Sequence, residues 1–222
     1  MANETEILVT MLDEFQEKLS RMENLVPREA KFSTAENKIK VAIGMRRSGK
    51  TTFCIQKIKE LLNQGVPVTR ILYINFEDDR LLPLDMGKLA SLLDAFYSLY
   101  PENHHQKCYL FLDEVQNAGE WALVIRRFFE TKNVEIYLTG SSAKLLSKEI
   151  ATSLRGRSLA TEIWPYSFKE YLVAHNHEIP SGMMSQRTFD QLKQQFNQYL
   201  LTGGFPEITN YESDDRIKTL QE

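Results

Sequence analysis

Eight consecutive residues, Gly44-Met45-Arg46-Arg47-Ser48-Gly49-Lys50-Thr51, fit G-x-x-x-x-G-K-[ST] at every fixed position. The chemistry such a run performs is capture of a polyphosphate. Gly44 and Gly49 permit backbone turns that side chains would block. The N–H groups of the loop, those of Arg46, Arg47 and Ser48 among them, then converge on one anion, with the positive end of a helix behind it. Lys50 supplies a point charge for the β- and γ-phosphates, and the Thr51 hydroxyl offers a ligand to Mg²⁺. Thr52, one residue further into the first helical turn, falls near an α-phosphate. The side chains of Arg46 and Arg47 are free by spacing to meet the nucleotide, a partner or nothing.

A second run, Cys108-Tyr109-Leu110-Phe111-Leu112-Asp113-Glu114, reads as an apolar strand ending in two carboxylates. In parallel sheets, ligands bind beyond the carboxyl ends of the strands. Asp113 is therefore placed to hold Mg²⁺, through water, and Glu114 to orient and polarise a water for attack on a γ-phosphate. The plain structural alternatives are a glycine turn that precedes a helix and a carboxylate pair that caps one. The strand-loop-helix context and the co-occurrence of both motifs favour Mg²⁺-dependent ATP hydrolysis.

These residues need a scaffold, and the chain supplies alternating strands and helices. Short apolar runs at Lys40 to Gly44, Ile71 to Phe76, Cys108 to Leu112, Val134 to Thr139 and Ser158 to Trp164 predict five strands. Helical periodicity predicts helices over Lys50 to Gln64, Gly87 to Tyr100, Glu120 to Glu130 and Ser141 to Ile150. Such alternation gives an α/β fold with a mainly parallel sheet covered on both faces. An amphipathic helix from Glu4 to Met22 precedes it, Pro27 ends that helix, and a polar stretch runs from Arg28 to Lys38. Ser167 to His175 and Phe189 to Thr202 are helical, and Gly203-Gly204-Phe205-Pro206 stops the second. The expected divisions are 1–38 (helix and linker), 39–166 (ATPase core) and 167–222 (a helical segment opening a truncated C-terminal region).

An Asp followed directly by Glu at a strand end resembles the additional-strand, catalytic-glutamate division of P-loop proteins. That resemblance implies sheet order 5-1-4-3-2, with the fourth strand between the phosphate-loop strand and the acidic strand. The polar tip of that strand then faces the γ-phosphate, with Thr139, Ser141 and Ser142 as sensor candidates and Ser141 first by position. Ser141 is equally suited to capping the following helix. Arg155 and Arg157 follow that helix. Arg157 is the preferred arginine for stabilising transition-state charge, in cis or from a neighbouring copy, which leaves a homo-oligomer open. Two further clusters read as structural. His104, His105 and Cys108 are a surface His pair before a core Cys, and Glu77-Asp78-Asp79 is a solvated loop at an edge strand.

Composition narrows the surroundings. The chain has 222 residues, 42% hydrophobic and 26% charged, with net charge −3, so no bulk attraction draws it to nucleic acid or anionic membranes. Two cysteines make no disulfide framework and suit a reducing compartment. No run approaches the roughly 20 apolar residues of a membrane span, and the start lacks a signal-peptide pattern, so a cytoplasmic location is expected. A GTPase would carry N-K-x-D after the acidic strand, whereas Asn37-Lys38 lies before the phosphate loop. A transporter ATPase would carry L-S-G-G-Q, and a small-molecule kinase would need an acceptor pocket and basic lid.

The segments GMRRSGKTT (Gly44 to Thr52), INFEDDRL (Ile74 to Leu81), FLDEVQN (Phe111 to Asn117), LTGSSAKLLSKEIATSLRGR (Leu138 to Arg157) and GGFPE (Gly203 to Glu207) together carry a resemblance. The sequence resembles the AAA-type ATPases of bacteria and archaea with a G-x-R-R-x-G-K-T loop. That resemblance implies an AAA-like core, ATP and Mg²⁺ as ligands, and hydrolysis coupled to conformational or assembly change. Family members often append a C-terminal domain similar to nuclease-related folds, so a DNA or protein client stays open. A slowly hydrolysing nucleotide switch is the alternative reading of the same site.

Overall fold

Ile39–Ile43 (β1) is buried along its whole length, as a strand with neighbours on both sides and helices on both faces must be. In the computed structural model, which describes residues 4–140, 152–154, 156–207, 211 and 215, it lies inside a five-stranded parallel sheet. The other strands are β2 (Ile71–Asn75), β3 (Cys108–Asp113), β4 (Val134–Gly140) and β5 (Ser158–Glu162), in the order β2-β3-β4-β1-β5. This is the expected 5-1-4-3-2 arrangement. β4 sits between the strand that leads into the phosphate loop and the strand that ends in Asp113, with Phe111 opposite Tyr137 and Val41 opposite Leu138.

Alternation along the strands divides the core in two. Val41, Ile74, Leu110, Leu112 and Leu138 face the helices α3 (Met86–Leu99) and α4 (Trp121–Thr131), which contribute Leu89, Leu92, Leu93, Phe96, Val124, Ile125 and Phe128. Tyr73, Phe111 and Tyr137 point the other way, onto Cys54, Ile55, Ile58 and Leu61 of α2 (Lys50–Asn63). Phe111 and Tyr137 stack at 4.4 Å between ring centroids.

The first helix, α1 (Glu4–Arg21), joins both layers. Leu8, Met11 and Leu12 enter the α3 side, while Phe15 and Leu19 enter the α2 side, with the Phe15 ring stacked 4.3 Å from Tyr73. An apolar helix across β2 shields the edge strand on that side of the sheet. Beyond β5 come α5 (Phe168–Ala174) and α6 (Gln186–Thr202). A reciprocal capping box between Ser167 and Glu170 starts α5. The helix expected over 141–150 lies outside the described residues. Among the described residues no helix is long and apolar enough to cross a membrane.

Candidate functional site

The loop 44–49 joins the carboxyl end of β1 to the first residue of α2, so its amides gather where a helix begins. Together with that first turn it walls a cavity of about 750 Å³. Arg46, Arg47, Gly49, Lys50, Thr51 and Thr52 all line it. Gly44 and Ser48 do not. Gly44 packs so closely under β5 that a Cβ there would stand 2.3 Å from the Ile163 carbonyl oxygen. Ser48 is completely buried beneath the loop, and its N–H donates to the Met45 carbonyl at 3.3 Å. Both shape the loop from below.

Lys50 forms the floor. Its ammonium donates to the Met45 carbonyl at 2.9 Å and stands 3.9 Å from Glu114 Oε1. Burial pushes its pKa down, and Glu114 and Asp113 pull it back toward the charged form. The cation is thus held between a loop carbonyl and a carboxylate.

The two carboxylates divide their work. Asp113 is 2% exposed and sits behind the cavity wall. The Tyr73 hydroxyl donates to its Oδ2 at 2.8 Å, and the Thr139 hydroxyl donates to its Oδ1. Burial and the neighbouring Asp113 raise the Tyr73 pKa, keeping the phenol a donor. Thr139 in turn accepts the Glu114 N–H at 2.9 Å. Glu114 adopts a left-handed conformation (φ 55) that turns its side chain into the cavity. Holding a non-glycine residue there costs of order 1–2 kcal/mol, the kind of strain that clusters at functional sites. Its Oε2 accepts from Gln116 Nε2 at 2.6 Å.

The donor set fits Mg²⁺ that arrives with a nucleotide. Thr51 and Glu114 line the cavity, and Asp113 is buried behind its wall. Among the described residues no three His, Cys, Asp or Glu side chains form a cage that could hold a metal alone. Mg²⁺ characteristically keeps several waters and borrows phosphate oxygens, so a sparse protein set is what it requires.

Five residues enter the site unforeseen. Glu77, expected in a solvated run, lines the cavity. The Phe76 N–H donates to the Asp113 carbonyl at 3.0 Å, so the chain after β2 follows β3 past its end and delivers residue 77 beside Glu114. Its neighbour Asp78 is structural, pairing with Arg80, which also grips Glu14. Glu207, with Phe205 and Pro206, closes another wall, and its Oε2 lies 3.1 Å from Arg47 Nε. Arg28, expected in a polar linker, is buried under the loop. It donates to Glu170 Oε1 (3.1 Å), the Ser48 carbonyl (3.0 Å) and the Trp164 carbonyl, and lies over the Tyr166 ring.

The arginine chosen from the sequence is not brought to the cavity. The Arg157 carbonyl accepts the Ile39 N–H at 2.8 Å, at the amino end of β1, and its guanidinium pairs with Glu130 at 2.7 Å. The loop lies at the other end of β1, about 16 Å away at the usual strand rise, so Arg157 stands at the opposite end of the sheet from the cavity. Ser141, Ser142 and Arg155 lie outside the described residues. Thr139, the remaining sensor candidate, is engaged by Asp113 and Glu114.

Residues 36–172 match the model of a family described as an AAA domain. An uncharacterized protein of Methanocaldococcus jannaschii is 38% identical over 200 residues, covering 90% of this chain and 42% of that protein. A second, from Haemophilus influenzae, is 35% identical over 170 residues, covering 77% of this chain and 40% of its own. The chain therefore spans about two fifths of the length of these relatives. Among solved structures, C. elegans PCH-2 superimposes with a TM-score of 0.52 at 14% identity, over 95% of this chain and 61% of that one, a likeness of fold.

Proposed function

Because the chain belongs to the AAA domain family, a nucleotide-binding ATPase-like module, we propose that it binds ATP with Mg²⁺ in the cavity at the head of α2 and hydrolyses it to ADP and phosphate. One observation carries the reading: Lys50 and Glu114 face each other across 3.9 Å in a cavity lined by the amide-rich loop.

When ATP binds, Lys50 exchanges the Met45 carbonyl for β- and γ-phosphate oxygens while the loop N–H groups hold the chain of phosphates. Mg²⁺, which Thr51 and Asp113 would hold, would neutralise the developing phosphate charge. Glu114, turned inward by its left-handed backbone, orients a water in line with the γ-phosphorus. The water oxygen forms the new P–O bond, the bond to the β–γ bridging oxygen breaks, and Glu114 accepts the proton. Thr139 fixes this geometry by bonding both carboxylate-bearing residues. We further propose that turnover drives a conformational or assembly change.

Lys50→Ala should abolish nucleotide binding, read as loss of the thermal stabilisation that saturating ATP gives. That stabilisation is about 2.7 kcal/mol at a hundredfold excess over Kd. Glu114→Gln should keep binding and lose turnover by about 10²–10⁴-fold. ATP stabilisation that survives Lys50→Ala would remove the cavity from the account, and turnover that survives Glu114→Gln would remove Glu114 as the activating carboxylate.

A further inference from the structure

We propose that Glu207 is a strap on the phosphate loop, holding Arg47 in the nucleotide-free molecule and displaced from it by the phosphates of the incoming nucleotide. The inference rests on the ATP-site reading and assigns that site a built-in competitor.

The strap is anchored at one end and lies on the loop at the other. Past α6 the chain turns back, and the Gly204 carbonyl accepts the Tyr166 N–H at 2.6 Å. The approach is so close that a Cβ on Gly204 would stand 2.4 Å from the Tyr166 carbonyl oxygen. Tyr199 donates to that same oxygen at 2.8 Å, fixing the end of α6 to the turn. From this anchor the next residues run onto the loop. Pro206 packs over Gly49, and the Glu207 carboxylate meets Arg47 at 3.1 Å.

The charges explain why the contact should yield. Glu77, Glu114 and Glu207 share the cavity wall with Arg46, Arg47 and Lys50, so its formal charges balance when no nucleotide is bound. A triphosphate brings more negative charge than one Mg²⁺ removes, and the Glu207 carboxylate becomes the surplus anion. Phosphate offers a guanidinium a forked set of acceptors with more charge than a carboxylate. Glu207 is also the more exposed partner, 42% against 28% for Arg47, so water receives it as it leaves. Glu114, whose side chain is 12% exposed, has no such exit.

The test is a double-mutant cycle on Kd, with Mg-ATP and inorganic tripolyphosphate as separate probes, using the whole chain. Glu207→Gln should tighten both probes about two- to fivefold, the scale of a half-exposed ion pair. Glu207→Ala should do the same, which separates the lost charge from any hydrogen bond that Gln retains. In an Arg47→Gln background the Glu207 substitutions should gain little. Melting temperatures in the absence of ligand confirm that each variant is folded. If the wild type binds Mg-ATP and neither Glu207 variant binds it more tightly, the strap is refuted while the site stands. An equal gain with and without Arg47 also refutes it, since Glu207 would then act only as diffuse charge. If no variant binds either probe, freeing Arg47 opens no anion site, and the strap and the ATP reading fall together.

Discussion

Replacing Arg28 with Met should remove the main support beneath the phosphate loop while preserving side-chain length. The Arg28 and Glu170 side chains are each 5% exposed and 3.1 Å apart. Methionine leaves the Glu170 carboxylate buried with the Glu29 N–H (2.6 Å) and Ser167 N–H (3.0 Å) as remaining donors. It also strips a donor from the Ser48 and Trp164 carbonyls. Removing one partner of a buried ion pair costs about 3–5 kcal/mol, and the two surviving amides on Glu170 place the expected loss near the lower bound, about 3 kcal/mol. At about 2–4 °C per kcal/mol for a chain of this size, Tm should fall by about 6–12 °C. Urea unfolding with an unchanged m-value would show that the loss is in stability rather than in compactness. Glu170→Gln and the double variant complete a cycle, with a coupling energy of at least about 1 kcal/mol expected for groups in contact. A loss below about 1 kcal/mol, or strict additivity, would refute the claim that a buried charge pair holds the loop.

Further outcomes follow from the same contacts. Burial alone would raise the Glu135 pKa, but Lys107 (2.6 Å), Lys40 (2.8 Å) and the Tyr137 hydroxyl (2.6 Å) bring it from 4.5 down to about 2. A depressed carboxylate stabilises the fold above its unfolded pKa and loses that contribution as pH falls through the folded value. Glu135→Gln should therefore cost up to about 3 kcal/mol at pH 7, shrinking to about half by pH 3. Urea midpoints across that range check it, and a pH-independent difference would contradict it. Thr139→Val removes the hydroxyl that both donates to Asp113 and accepts from Glu114. Stability should drop by about 1–3 kcal/mol and turnover should fall more than ATP affinity, so unchanged kcat would exclude the positioning role. Arg157→Ala should leave the turnover of dilute single chains unchanged, because its backbone lies at the amino end of β1. A loss that persists on dilution would place that arginine in its own subunit's site after all.

Apolar runs were enough to locate β1 to β4, because strands buried on both faces leave little room for polar residues, whereas β5, at the edge of the sheet, has no buried residue. The order of those strands was a different matter. It came from Asp113-Glu114 and the resemblance they carry, since nothing in the run Val134 to Thr139 itself states which neighbours it will have. Arg28 was illegible for a stronger reason. Its three acceptors are 20, 136 and 142 positions away, so a cation in a polar stretch reads as solvated until the chain closes over it. Gly203-Gly204 was legible as a helix stop, but a stop signal carries no address, and the landing of Glu207 on Arg47 depends on the anchor at Tyr166.

Arg157 and Glu77 are instructive because a single rule, available from the sequence, would have placed both. In a parallel sheet the carboxyl end of every strand lies on the ligand side and the amino end on the other. Arg157 immediately precedes a strand, so it belongs to the far side whatever its spacing from the last helix. Glu77 lies just past the end of a strand, so it belongs to the ligand side, and the edge position of β2 displaces it by only two strands from β4. With neighbouring strands about 4.8 Å apart, β2 lies about 14 Å across the sheet from β1, and Glu77 still lines the cavity because it leaves its strand at the same end as the loop. Which end of its strand a residue occupies therefore decides more about its access to the cavity than which strand it is on.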